Sequence, residues 1–347
     1  MHMHDALLVV KDLRVNFYTY AGVVKALDGI SFEVHKGEAF GLVGETGCGK
    51  SVTAASILRL VDKPGRIVSG DVFFEGKNLM ELSENEMRKV RGGEITIVFQ
   101  DPMTYLNPVL KIGDQIAETI LEHQDLTAEA LKIGVTESRE ASSNKPSRKT
   151  LKKVALGRVE KALKTVKMPN PETVIDQHPH ELSGGMRQRV MIAMAISCNP
   201  RLLILDEATT FLDVTIQRQI LELVKDLKDS LGCTLMIITH DMGIIAEMCD
   251  RVAVMYAGTI VECAETKNVF NKPIHPYTKG LLNAIPQPTE DLKTLTSIPG
   301  SVPGLINPPP GCRFHPRCLE SQEICSSLKP ELKEVEEGHF VACHSHL

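Results

Sequence analysis

No apolar run approaches the roughly 20 residues that a membrane-spanning helix needs, so a membrane role is expected to come through partner chains. Positive charge is not in excess either. With 39 Lys and Arg against 44 Asp and Glu, the net charge is −5, which gives no global electrostatic reason to expect a nucleic-acid partner. The start, MHMHDALLVVKDL, lacks the pattern of an export signal, because an acidic residue precedes a very short apolar stretch. The expected compartment is therefore reducing. Structural disulfides are not expected there, and clustered cysteines point to metal or redox chemistry. Internal repeats are also absent.

What is present is the composition of a soluble globular protein. Hydrophobic residues make up 43% of 347, enough to bury a large core and to form two or three domains. Residues 1–40 read as short alternating strands, in LLVVKDLRVNFYTY and ISFEVHKGEAFGLV. GDVFFEGKNL and ITIVFQ read as further strands. From about 110 to 180 the pattern is helical and polar, with LKIGVTESREASSNKPSRKT expected as a flexible insertion. After it, Leu151, Val154, Ala155, Val159, Ala162, Leu163 and Val166 recur at three- and four-residue steps, which gives one apolar helix face. LLILDE and TLMIITHD are expected as short buried strands within renewed α/β alternation. From about 285 the chain is rich in proline, glycine and cysteine, marking a small loop-rich appendage.

GETGCGKS, Gly44 to Ser51, fits G-x-x-x-x-G-K-[ST] at every fixed position, with the apolar strand AFGLV before it and a helical pattern after it. Glycines let successive backbone N–H groups curl around phosphates, and the helix start adds its positive dipole end. Lys50 is placed to reach the β- and γ-phosphates of a nucleotide and the Ser51 hydroxyl to hold Mg²⁺. The loop from Gly44 through Glu45, Thr46, Gly47, Cys48 and Gly49, with Val52 just beyond it, is expected to line the ATP phosphates. At Cys48 the backbone rather than the thiol is expected to matter. In RLLILDE, four apolar residues lead into Asp206 and Glu207. Alone, such a pair closes many ordinary strands. Together with a phosphate loop, Asp206 reads as the residue beside the metal and Glu207 as the group that polarises the attacking water.

ELSGGMRQRV, residues 181–190, narrows the choice among phosphate-loop proteins. Here the chain resembles the ATPase subunit of ATP-binding-cassette (ABC) transporters, whose signature is LSGGMRQ. The resemblance implies an α/β fold of the P-loop NTPase class, with a RecA-like core, an antiparallel β subdomain and a helical subdomain. It implies that Ser183, Gly184, Gly185 and Gln188 cap the γ-phosphate held by a second ATPase subunit, so that two ATP molecules are sandwiched. A hydroxyl and N–H groups at a helix start suit that role. By the same resemblance Gln100, in VFQDP, contacts Mg²⁺ and the attacking water. Asp213 communicates between the ATP sites, His240 contacts the γ-phosphate, and Phe17 stacks on adenine in preference to Tyr18 or Tyr20.

KALDGISFEVHKGEAFGLVGETGCGKS, VFQDPMTYLNP, HPHELSGGMRQRV, LDVTIQ, HPYTKGLL and PGCRFHPRC are similar to the oligopeptide/dipeptide importer branch. That implies a partner ATPase, either a paralogue or a second copy, two transmembrane permease subunits and, indirectly, an extracellular solute-binding protein. The chain would sit peripherally at the cytoplasmic face of the membrane, with no nucleic acid involved. Relatives importing oligosaccharides or nickel share these motifs. A soluble ABC-type ATPase of DNA repair or translation is the rival class, and the long coiled coil or second fused ATPase domain it usually carries is absent. The expected division is an ATPase domain over 1–284, with its helical subdomain at about 105–182, and a C-terminal extension over 285–347. Ala208 stands where the family has proline, Phe211 where it has alanine, and Tyr105 where a small residue is usual. Tyr105 and Leu106 are candidates for the groove that receives a helix of the membrane subunit. The basic run from Asn144 to Lys164 reads as a solvated helix face or a surface for anionic lipid.

Four of the nine cysteines, Cys312, Cys318, Cys325 and Cys343, fall near the C-terminus with spacing C-x5-C-x6-C-x17-C. Paired C-x2-C knuckles are lacking, which disfavours zinc. Four thiolates on proline- and glycine-rich loops suit a [4Fe–4S] cluster. Zn²⁺, a mixed site with neighbouring histidines, and no metal stay open, as does a redox-sensing role. The segment is expected to lie outside the ATP chemistry.

Overall fold

A computed structural model describes residues 6–137, 146–210, 212–285 and 298–346. Two units divide the chain, Met1–Leu82 with Thr234–Leu347, and Ser83–Cys233.

The first unit carries two sheets. Ala6–Thr19 and Gly22–His35 pair antiparallel, with Thr19 opposite Gly22 across a tight turn. Gly65–Phe74 pairs along the other edge of Ala6–Thr19, and Lys77–Asn78 closes the sheet. Leu8, Val10, Leu13 and Val15 are buried, as are Leu27, Ile30, Phe32 and Val34, so each strand turns one apolar face to the core. Each strand is 14 residues long, longer than the short strands expected. The reason is an irregularity between Val10 and Leu13. The polar pair Lys11–Asp12 breaks the alternation there, and a bulge lets the strand continue past it.

In the second sheet the fully buried strand Ala39–Val43 lies between two parallel neighbours, Thr234–Thr239 and Arg251–Tyr256. Burial on both faces explains its unbroken apolar sequence. Thr259–Glu265 pairs antiparallel with Arg251–Tyr256. The C-terminal segment then adds His339–Val341 against Thr259–Glu265, with Lys333–Glu336 at the edge. The segment expected as a loop-rich appendage thus contributes two strands to the sheet that carries the phosphate loop.

In the second unit, Ile95–Val98 runs parallel to Leu202–Asp206, with Val98 opposite Leu205. Around the pair stand the helices Ile112–His123, Arg148–Thr165, Gly184–Ile196 and Val214–Leu231. Arg148–Thr165 begins at Ser147, whose hydroxyl accepts from the Thr150 N–H, and buries Val154, Ala155, Val159, Ala162 and Leu163, the stripe read from the sequence. The expected flexible insertion is in part a helix, Thr127–Glu137; its residues 138–145 lie outside the described ones. The basic face is partly matched by acids, with Lys152 2.7 Å from Asp114 and Arg158 2.8 Å from Glu129. Such exposed pairs contribute little stability but reduce the charge offered to a lipid surface. Tyr105 is exposed and stacks on Phe99, whereas Leu106 is 2% exposed and belongs to the core. Among the described residues no helix is long and apolar enough to cross a membrane.

One buried pair fastens the C-terminal strands. The His339 ring nitrogen Nε2 lies 2.7 Å from Glu262, and both side chains are almost fully buried. Glu262 also accepts the N–H groups of Ile274, at 2.9 Å, and His275, at 3.0 Å. Burial pushes this carboxyl up, but the hydrogen bonds from His339 and the two amides outweigh it and hold it below its ordinary value. A depressed carboxyl stabilises the fold above its unfolded-state pKa, and the gain is lost as pH falls through the folded-state value. Glu262→Ala is expected to lower stability by about 3–5 kcal/mol at neutral pH, because it strands buried partners. The deficit should shrink in acid. Chemical denaturation at several pH values checks both points, and a loss below about 1 kcal/mol at neutral pH contradicts them.

Candidate active site

In the first unit the buried strand Ala39–Val43 ends and the chain turns through residues 44–49 into the helix Lys50–Ile57. Two glycines are required by this path. A Cβ on Gly44 would lie 2.1 Å from the carbonyl oxygen of Met255. Gly49 has φ +106°, and a Cβ there would meet the Ala26 carbonyl at 2.8 Å. Lys50 is buried, and its ammonium donates to the carbonyls of Gly44 at 2.8 Å and Glu45 at 3.1 Å. The cation therefore sits in the cup of the loop, where backbone N–H groups and a helix start also favour negative charge. Thr46, Gly47 and Ser51 are exposed at its mouth, and Val52 is half-buried. The Cys48 thiol is buried and pushed up by that burial. Its carbonyl accepts the Gly258 N–H at 2.8 Å, which ties the loop to the turn after Arg251–Tyr256.

The sequence did not reveal what surrounds Glu45. Its N–H donates to the Tyr277 hydroxyl at 2.9 Å. Its carboxylate receives both terminal nitrogens of Arg317, at 2.8 and 3.2 Å. Arg317 lies between Cys312 and Cys318, so the cysteine segment is not remote from the phosphate loop. HPYTKGLL and GCRFHPRC stood out as motifs, but nothing local in them points to a loop some 270 residues upstream.

His240 is exposed just after Thr234–Thr239, and Asp241 next to it caps the helix Met242–Met248 by accepting the Gly243 N–H at 2.7 Å. Phe17 is half-buried, with its ring against Gly65, where an added Cβ would lie 2.7 Å from it. Tyr18 and Tyr20 are the more exposed aromatics of that strand end.

The second unit gathers the acidic group. Asp206 ends its strand and is 6% exposed. Glu207 follows with φ +48°, a left-handed conformation that costs a non-glycine residue of order 1 kcal/mol or more and tends to persist where function requires it. The parallel strand pair brings Gln100 beside it, and the Gln100 amide donates to the Glu207 carboxylate at 2.9 Å. Ser183 caps the helix Gly184–Ile196, accepting the Met186 N–H at 3.4 Å, with Gly184 and Gly185 in its first turn. Gln188 is 1% exposed, and among the described residues its side-chain nitrogen has no hydrogen-bond partner. Asp213 caps Val214–Leu231 through the Ile216 N–H at 3.0 Å. Ala208 is buried. Phe211 lies outside the described residues.

Donor chemistry separates the two expected metal sites. The Ser51 hydroxyl and the Asp206 carboxylate are hard oxygen donors of the kind Mg²⁺ takes. Among the four C-terminal cysteines, Cys312 and Cys318 are half-buried and Cys325 and Cys343 buried. Burial, with Cys325, Cys343 and Cys318 nearby, pushes the Cys312 thiol up to about 11. Yet among the described residues no group of three or more His, Cys, Asp or Glu side chains is placed to hold a metal ion.

Residues 27–210 match the ABC transporter family, and residues 261–325 match the oligopeptide/dipeptide transporter C-terminal region. The chain is 48% identical over 342 residues to a probable peptide ABC transporter ATP-binding protein of Sinorhizobium fredii, covering 98% of this chain and 95% of that one. It is 44% identical over 340 residues to a dipeptide transport ATP-binding protein of Bacillus subtilis, covering 98% and 94%. An oligopeptide transport ATP-binding protein of the same organism is 46% identical over 337 residues, covering 96% and 87%. Among solved structures, the dimeric bacterial ABC transporter cassette MJ0796 superposes with TM-score 0.59 at 23% identity, over 75% of this chain and 98% of that one. The cbiO1 protein of Clostridium perfringens, part of an ABC transporter complex, gives 0.58 at 28% identity, over 78% and 92%. These likenesses agree with the α/β cassette fold read from the sequence.

Proposed function

Since the chain belongs to the ABC transporter family, in its oligopeptide/dipeptide branch, we propose that it is the ATP-hydrolysing subunit of an importer that takes up di- and oligopeptides. The observation that carries this is near-full-length identity of 48% to a peptide transporter's ATP-binding protein, joined to a phosphate loop with its lysine seated inside. The ATP chemistry is assigned to 1–284 and the branch-specific extension to 285–347. The partners are a second ATPase subunit, two permease subunits and, through them, an external binding protein. The chain then works at the cytoplasmic face of the membrane without entering it.

The roles follow from the side chains. Lys50 exchanges the carbonyls of Gly44 and Glu45 for phosphate oxygens, an exchange that a compact ammonium on a flexible stem makes easily. Ser51, Gln100 and Asp206 are assigned to Mg²⁺, which supplies charge neutralisation on the phosphates when bound. Glu207, held in its left-handed conformation and hydrogen-bonded by Gln100, orients a water and accepts its proton. His240 is assigned to the γ-phosphate and Phe17 to the base. Ser183, Gly184, Gly185 and Gln188 are assigned to the nucleotide of the partner ATPase, and Asp213 to the exchange of information between the two sites.

A finer reading places a [4Fe–4S] cluster, or Zn²⁺, on Cys312, Cys318, Cys325 and Cys343. Its support is the thiol-only donor set, four cysteines within one short segment. No step of ATP hydrolysis passes through it. Anaerobically purified protein is expected to carry about four iron and four sulfide per chain. Zinc alone moves the assignment to Zn²⁺, and metal-free protein removes it.

Glu207→Gln tests the catalytic assignment. ATP affinity should stay within about threefold while turnover falls at least about 100-fold, the usual scale for a lost general base. Binding titration and steady-state phosphate release check this, and near-normal turnover contradicts it.

A further inference from the structure

The cysteine segment reaches the phosphate loop at two points, once directly and once through a turn. At the first, Arg317 is almost buried, and its fork takes the Glu45 carboxylate in a bidentate grip. The guanidinium is itself fixed from the other side, since Nε donates to the Pro299 carbonyl at 2.8 Å and Nη2 to the Ile298 carbonyl at 3.3 Å. Its Cζ lies 5.8 Å from the centroid of the Tyr256 ring. At the second point Arg313, also buried, donates to the Ala257 carbonyl, and the next N–H, of Gly258, holds the Cys48 carbonyl at 2.8 Å. Phe314, between the two arginines, packs against Tyr256 and Tyr277 at ring separations of 5.1 and 5.4 Å. Tyr277 in turn accepts the Glu45 N–H.

Glu45 is thus held three ways, by Tyr277 at its N–H, by Arg317 at its carboxylate and by Lys50 at its carbonyl. A nucleotide takes the lysine away. What then keeps the loop shaped, and what offsets a carboxylate beside a triphosphate, are the two remaining holds. An uncompensated acid there would repel the phosphates. We propose that Arg317 is a positioning residue for phosphate binding, so that the cysteine segment forms an outer wall of the ATP site. It acts through Glu45, neutralising its charge and holding the first half of the loop open after Lys50 departs. Arg313 supports the far side of the loop through the turn at Ala257 and Gly258. This rests on the reading of residues 44–51 as a triphosphate loop.

The test is a double-mutant cycle on the full-length chain, read by titration with a fluorescent ATP analogue. Arg317→Ala is expected to raise Kd about tenfold, and in a Glu45→Ala background to raise it less than about twofold. Arg317→Lys should recover part of the affinity, because it restores a charge but not the fork. It also serves where Arg317→Ala fails to fold, which circular dichroism detects. In the assembled transporter the rate at saturating ATP should change less than about threefold, so that the loss falls on KM. An unchanged Kd for Arg317→Ala overturns the proposal. So does an equal rise with and without Glu45, which would mean that the arginine only holds its own segment together. If the unaltered chain fails to bind the analogue, the phosphate-loop reading itself falls.

Discussion

How closely Gly44 passes the carbonyl of Met255 fixes the geometry of the phosphate loop. Strand Ala39–Val43 is parallel to Arg251–Tyr256, so the loop leaves the sheet beside the end of that neighbour. With 2.1 Å between a hypothetical Cβ and the Met255 oxygen, only a residue without a side chain follows this path. The turn that results carries Lys50 into the cup and starts the helix at the right place. The same neighbouring strand leads into Gly258, whose N–H holds the Cys48 carbonyl, so one strand pairing governs both flanks of the loop.

The acidic side of the chemistry rests on an analogous device in the second unit. Ile95–Val98 and Leu202–Asp206 run parallel in register, which puts Gln100 and Glu207 within one hydrogen bond of each other. The left-handed backbone at Glu207 turns its carboxylate off the line of the strand. Ser183 and Asp213 give side-chain oxygens to helix starts, so the roles proposed for them toward nucleotide would be combined with local folding roles.

Local, chemically specific features were legible in the sequence. The phosphate loop, the strand before it, the acidic pair and the stripe from Val154 to Leu163 all stand where spacing placed them, because each is encoded within a few residues. Features decided by distant pairing were not. The bulge at Lys11–Asp12 hid the true length of the first strand, since a polar pair reads locally as a strand end. Lys333–Glu336 and His339–Val341 read as loop because they owe their form to Thr259–Glu265, far upstream. Arg317 and Glu45 carry no mutual signal at all, so a segment that looked like a separate appendage proved to touch the loop. The four cysteines were read by their spacing and by the proline- and glycine-rich loops around them, and neither specifies the geometry that a metal requires.

The buried Glu262–His339 pair, the added strands and Arg317 together make the C-terminal segment part of the body that holds the nucleotide loop. This joins the branch-specific end of the chain to chemistry that all members of the family share. The central claim is that ATP hydrolysis by this chain drives peptide entry. Vesicles that contain the chain with its membrane subunits and binding protein test it most directly, with peptide accumulation and phosphate release measured in the same sample. Peptide accumulation is expected to require both ATP and magnesium and to stop when hydrolysis stops. Sustained hydrolysis with no peptide movement, or peptide movement with no hydrolysis, would contradict it.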